Sequence, residues 1–162
     1  MAIHKLADWE LEDEPYILIA IHSTLEPYRM AYLLNKHLLK SFSRCTKDQD
    51  IVEPAYTANY PVYKYFDQEQ NAPLYLIPNK YWGTATHQPI TSSLFDNNES
   101  IKVKTVLIKE YGTVDFLLKI EKEEDVFPLK KMINSIGEIP QVISVYQIDT
   151  FKIKQQDYLI FE

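Results

Sequence analysis

Glycine is almost missing from this chain: Gly83, Gly112 and Gly137 are the whole complement in 162 residues. A loop that cradles phosphate needs clustered glycines so that backbone N–H groups can approach the anion, so a P-loop or a dinucleotide-binding turn is excluded. Cys45 stands alone, which rules out an internal disulfide and any zinc or iron–sulfur site built on several thiolates. Arginine is limited to Arg29 and Arg44; the other cations are lysines, which meet phosphate as point charges without a bidentate fork. No uncharged apolar run exceeds Tyr16 to Ile21, far too short to cross a bilayer. The segment Met1 to Glu14 is acidic, with neither the basic start nor the apolar stretch of a signal peptide, so a cytoplasmic protein is expected.

The histidines, His4, His22, His37 and His87, show no H-x-x-x-H or H-E-x-x-H pairing, and no G-x-S-x-G elbow exists. No metal and no cofactor is expected. The net charge of −6 opposes binding to phosphate backbones and anionic membranes.

What is present belongs to a folded domain: 46% of residues are hydrophobic and 13% aromatic, and the length suits one domain over 1–162. Residues 16 to 22 form a near-continuous apolar run, as a central strand buried on both faces would. Ser23 and Glu26 have capping-box spacing and Pro27 suits a first turn, so a helix is predicted from there to about Leu39. Its buried stripe is Met30, Leu33, Leu34, His37 and Leu38. Tyr60 to Phe66 and Pro73 to Pro78 read as an antiparallel hairpin, and residues 79 to 100 as a long loop.

A second hairpin is predicted between Ile101 to Leu107 and Val114 to Ile120, with Gly112 supplying any positive φ its turn needs. A short helix follows the acidic run Glu121 to Asp125, with Pro128 in its first turn, Phe127, Leu129, Met132, Ile133 and Ile136 inward, and Gly137 at its end. Gln141 to Ile148 returns as a strand, and Phe151 to Phe161 is a further strand or a packed extension. The expected class is α+β, a two-layer α/β sandwich with a mainly antiparallel sheet and two helices. The unit Val114 to Ile148 resembles half of a ferredoxin-like or ACT-like module, a likeness of fold alone.

Leu107 to Phe116 carries a pattern that resembles the signature of the IPExxxVDY family of the Bacteroidota. Ile108, Glu110, Val114 and Asp115 agree in identity and spacing, while Lys109 stands where the family has Pro and Phe116 where it has Tyr. His22 to Asn35 is similar to that family's first helix, and the resemblance covers most of the chain. The family is named for its pattern, so the resemblance implies a bacterial cytoplasmic protein and brings no activity, ligand or catalytic residue.

The residues that stand out as candidate binding groups are Glu110, Tyr111, Asp115 and Arg29; none is singled out as catalytic. Two carboxylates flanking a tight turn can approach each other as an acid/base pair does, or can accept hydrogen bonds from turn N–H groups, which is the simpler reading. Asp115 opens an otherwise apolar strand and is expected to be a structural acceptor. Cys45 reads as a packed small side chain, although a Cys45/His37 nucleophile pair can be drawn. Tyr56, Tyr60, Tyr63, Tyr65, Tyr75, Tyr81 and Trp82, interleaved with Lys64 and Lys80, read as cross-strand packing before they read as a stacking platform for single strands, so nucleic acid is disfavoured as a partner. Lys102, Lys104, Lys152 and Lys154 read as edge protection.

A sound fold signal without reaction machinery favours a non-catalytic protein-binding or adaptor module whose partner is another cytoplasmic protein, with a homodimer as one form of that partnership and no membrane. Two alternatives stand beside it. One is an ACT-like module that senses a small molecule. The other is an enzyme whose site, drawn from Asp115, Glu110, His22 and Arg29, is assembled only by folding; the balance is against an enzyme.

Overall fold

The computed structural model describes residues 14–85 and 101–161. His4, His87, most of the acidic opening segment and the greater part of the expected long loop lie outside them.

The fold grows from β1 (Ile17–His22), whose first five residues are buried on both sides of the strand. Its odd positions, Ile17, Ile19 and Ile21, face one core; Leu18 and Ala20 face another. The chain then enters α1 (Pro27–Leu38), with Pro27 at the first helical position. The predicted capping box does not form. Glu26 is the N-cap and makes no side-chain cap, while Ser23 Oγ accepts from the Leu25 N–H at 3.3 Å and donates to the Gln141 carbonyl at 2.9 Å. Met30, Ala31 and Leu34 are the buried face of α1, whereas His37 is exposed and so falls off the stripe expected for it.

After α1 come β2 (Ser43–Arg44), β3 (Gln49–Val52), β4 (Thr57–Tyr60), β5 (Tyr63–Asp67) and β6 (Ala72–Pro78). The predicted hairpin is present as β5 and β6, paired from Tyr63 opposite Leu76 to Asp67 opposite Ala72, but Tyr60 belongs to the separate β3–β4 hairpin. The expected long loop instead begins as a strand, β7 (Lys80–Ala85), which pairs with β8 (Ile101–Val106). The second predicted hairpin is therefore wrong: β8 does not pair with β9 (Phe116–Ile120), which lies between β1 and β6. The link between β8 and β9 holds a turn of 3₁₀ helix at Lys109–Tyr111, and Gly112 has an ordinary φ of −63°, so no positive φ is needed.

A second 3₁₀ turn, Glu124–Val126, leads to α2 (Leu129–Gly137), which buries Leu129, Met132 and Ile136 and ends on Gly137 as expected. The returning strand, β10 (Ser144–Gln147), is shorter than predicted, and the tail packs as 3₁₀ turns at Thr150–Lys152 and Gln156–Leu159.

The main sheet has the order β10-β1-β9-β6-β5-β2 with every pairing antiparallel, and together with two helices it makes an α+β fold. The two-layer expectation needs correction, because a third layer covers the second face. One face packs α1 and α2 over Ile17, Ile19, Leu74, Leu76, Leu118 and Ile120. Across the sheet, Leu18, Tyr75, Ile77 and Leu117 pack under Tyr60, Ile108, Val114 and the tail residues Ile153 and Leu159. No helix among the described residues is long and apolar enough to cross a membrane.

Candidate functional site

Asp115 lies just ahead of β9, where the chain enters the sheet beside the end of β1. Its N–H donates to the Ile21 carbonyl at 3.2 Å and its carbonyl accepts from the Asn79 N–H at 2.8 Å. With the backbone pinned on both sides, the carboxylate is fixed: Oδ2 accepts from the Ser23 N–H at 2.9 Å and Oδ1 from Lys80 Nζ at 2.7 Å. His22 Nδ1 lies 4.0 Å from Oδ2, and its other ring nitrogen meets the Tyr146 hydroxyl at 2.8 Å, with the two rings stacked at 5.5 Å. A polar chain Tyr146–His22–Asp115–Lys80 thus runs from β10 to the start of β7.

Of the four groups that an enzyme assembled by folding was expected to use, the structure brings His22 and Asp115 together. Glu110 turns to the tail, accepting from the Lys154 N–H at 3.2 Å, and Arg29 is exposed on α1. The Tyr111 hydroxyl donates to the Asp149 carbonyl at 2.8 Å, so it too ties the tail to the 3₁₀ turn. Among the described residues no group of three or more His, Cys, Asp or Glu could hold a metal ion. Burial pushes the Cys45 thiol up, which outweighs the opposing pull of Lys64 and leaves little thiolate at neutral pH. His37 is exposed on α1, with nothing that orients it as a base toward that thiol.

Sequence reasoning missed Asn79, which is fully buried. Its Nδ2 donates to the Tyr111 and Val114 carbonyls at 2.9 and 3.0 Å, and its Oδ1 accepts from the Ile108 N–H at 2.9 Å. Its main chain adds bonds to Asp115 and Leu107, so one side chain and its own peptide groups clamp the whole link between β8 and β9. Set among Pro78 and Lys80, Asn79 reads as turn punctuation; nothing local marks it as a buried clamp.

Of the clustered aromatic residues, Tyr56, Tyr60 and Tyr81 pack against one another, while Trp82 is exposed beneath Lys104. Tyr60, Tyr63 and Tyr75 are buried, and Tyr81 lies 6.2 Å from Tyr56 and 6.1 Å from Tyr60 between ring centres. Tyr56 also bonds Thr105, and the Tyr60 hydroxyl donates to the Thr105 carbonyl, which fastens the β3–β4 hairpin to β8.

The polar chain ends at an open strand. Ile143 N–H donates to the His22 carbonyl at 2.8 Å and Ile148 N–H to the Leu18 carbonyl at 3.0 Å, so β10 is held along β1 from both ends. Steps of two from the bonded pair Leu18 and Ile148 give Ala20 with Tyr146 and His22 with Ser144 as the hydrogen-bonded pairs of the ladder. By the alternation of antiparallel pairing, Val145 and Gln147 then turn their N–H and C=O groups outward. Among the described residues no strand pairs with that outer side. Beside it, Ile143 is 71% exposed and Tyr146 41%. The opposite edge, β2, is only two residues long and carries Arg44, paired with Asp48 at 2.9 Å.

Compared with known proteins, the chain matches no family model, no curated protein and no solved structure.

Proposed function

We propose that this chain is a non-catalytic protein-binding module that takes up an extended segment of another cytoplasmic protein along the outer edge of β10. The observation that carries this reading is an edge strand, Ser144 to Gln147, without a charge or a proline and flanked by exposed Ile143 and Tyr146. Sheet edges that stay unpaired are ordinarily blunted by lysine, proline or a bulge. An edge without charge or proline suits strand addition, in which main-chain hydrogen bonds supply affinity and alternate side chains supply selectivity. The Tyr146–His22–Asp115–Lys80 chain then serves to hold that edge in position.

The finer architecture belongs to the same proposal. The strands β10-β1-β9-β6, with α1 after β1 and α2 after β9, are ordered as in a ferredoxin-like fold, to which the β2–β5 region and the β7–β8 hairpin are additions. Membership of the IPExxxVDY family is proposed on the same footing. Its four matching positions all have structural tasks here: Ile108 and Val114 are buried, Glu110 caps the Lys154 N–H, and Asp115 caps the Ser23 N–H.

The test is a comparison of the native chain with a variant carrying Ser144→Lys and Gln147→Lys, two exposed positions. A partner enriched from lysate by the native chain and lost by an equally stable double-lysine variant supports the reading. Equal capture by both proteins, or no enrichment under several conditions, overturns it.

A further inference from the structure

Lys119 is a central-strand lysine with only 7% of its surface exposed, the one buried lysine among the described residues. Lysine is almost never buried without a partner. Here the ammonium sits 5.1 Å from the Tyr16 ring centre, 5.6 Å from Phe161 and 5.9 Å from Tyr75, and it bonds the Glu121 carboxylate at 3.0 Å. Three ring faces stabilise the cation but accept no conventional hydrogen bond, so among the described residues Glu121 is the carboxylate that meets its N–H donors.

Next to this ammonium lies a cavity of about 560 Å³, with Lys119, Lys122, Glu121, Glu123, Tyr16 and Val126 in its wall. That volume falls within the range of small-molecule sites. Its charges are of both signs, two lysines against Glu121, Glu123 and Glu14. The side chains of Glu14, Lys122 and Glu123 make no ion pair or hydrogen bond with another side chain among the described residues.

We infer that this cavity binds an apolar α-amino acid, its carboxylate on Lys119 and Lys122, its ammonium toward Glu121 and Glu123, and its side chain against Tyr16, Pro15 and Val126. Phosphate or a dicarboxylate fits poorly, since it would add negative charge beside three carboxylates. A simple amine would meet the carboxylates but bring no anion to Lys119 and Lys122. A zwitterion answers both halves of the wall, because each of its charges meets the opposite sign at short range.

The experiment is isothermal titration calorimetry on the full chain with L-phenylalanine and L-leucine, and with 3-phenylpropionate, phenethylamine and inorganic phosphate as probes of each charge alone. Saturable binding of at least one amino acid is expected, with each single-charge probe about tenfold weaker or more, the change that loss of one such contact brings. Lys119→Met, which keeps an apolar chain within the ring faces, should weaken the amino acid by about tenfold or more. Because that change touches the core, Lys122→Gln and Glu123→Gln near the surface serve as independent variants, and each should weaken binding severalfold while the melting temperature holds. No saturable heat from either amino acid at millimolar concentration overturns the inference. So does equal binding of phenethylamine or 3-phenylpropionate, or undiminished binding in both surface variants.

Discussion

The carboxylate of Asp115 reaches across the sheet to accept the N–H of Ser23, the first residue beyond β1, at 2.9 Å. Ser23 is 3% exposed, so that N–H has little access to water and depends on the carboxylate. The same Ser23 sends its hydroxyl to Gln141. One carboxylate therefore helps to set where β1 ends and where the approach to β10 begins.

Replacing Asp115 with Ala should destabilise the fold by about 1–3 kcal/mol, the cost of leaving a buried donor unpaired. Asn keeps one acceptor oxygen for Ser23 but gives up the charge opposite Lys80, so it should recover only part of the loss. Urea denaturation of the three proteins checks the order native, Asn, Ala. Unchanged stability in the Ala protein would mean that Asp115 is kept for binding or chemistry.

Leu39 ends α1 in the left-handed region, with φ 55° and ψ 48°, while 89% of its surface is exposed. A β-carbon in that conformation costs roughly 1 kcal/mol, and the exposed side chain returns little by packing. Leu39→Gly should therefore stabilise the protein by about 0.5–1 kcal/mol, less than the full strain because glycine loses more freedom on folding. The midpoint of chemical denaturation reads this directly, and a fall in stability would show that Leu39 contributes packing that its exposure conceals.

Which parts of the fold the sequence discloses follows from the range of the forces involved. β1 is legible because burial on both faces leaves an unbroken apolar run, and α1 and α2 because Met30 and Leu34, or Met132 and Ile136, recur at helical spacing. The pairing of β8 is not. Gly112 between two strand-like runs is a local turn signal, yet β8 joins β7, and the link after it is held by Asn79, 29 residues before Ile108. Asp115 stands between these cases: an acid at the head of an apolar strand marks an acceptor, while its donor, Ser23, is 92 residues away and could not be named. The open edge at β10 and the ring faces around Lys119 were equally hidden, since being an edge, or being surrounded, is a property of topology rather than of any segment.

Alkaline pH should expose the packed tyrosines as a group. Burial raises the phenol of Tyr60 well above its ordinary value, with smaller contributions from Tyr56 and Glu53 nearby. Burial likewise raises Tyr16, Tyr63 and Tyr75. A raised folded-state value means that the folded protein holds its phenol protons where the unfolded chain has lost them. The stabilisation is then complete below the unfolded value of about 10 and drains away as pH climbs above it toward the folded value. Ultraviolet titration of phenolate should show these four tyrosines ionising only as far-ultraviolet dichroism reports unfolding. Tyr60→Phe removes the most strongly shifted phenol along with its bond to Thr105, so that variant should be less stable at neutral pH yet lose proportionately less between pH about 10 and 12. A single titration of all tyrosines near pH 10, with the fold intact, would contradict the burial on which this rests.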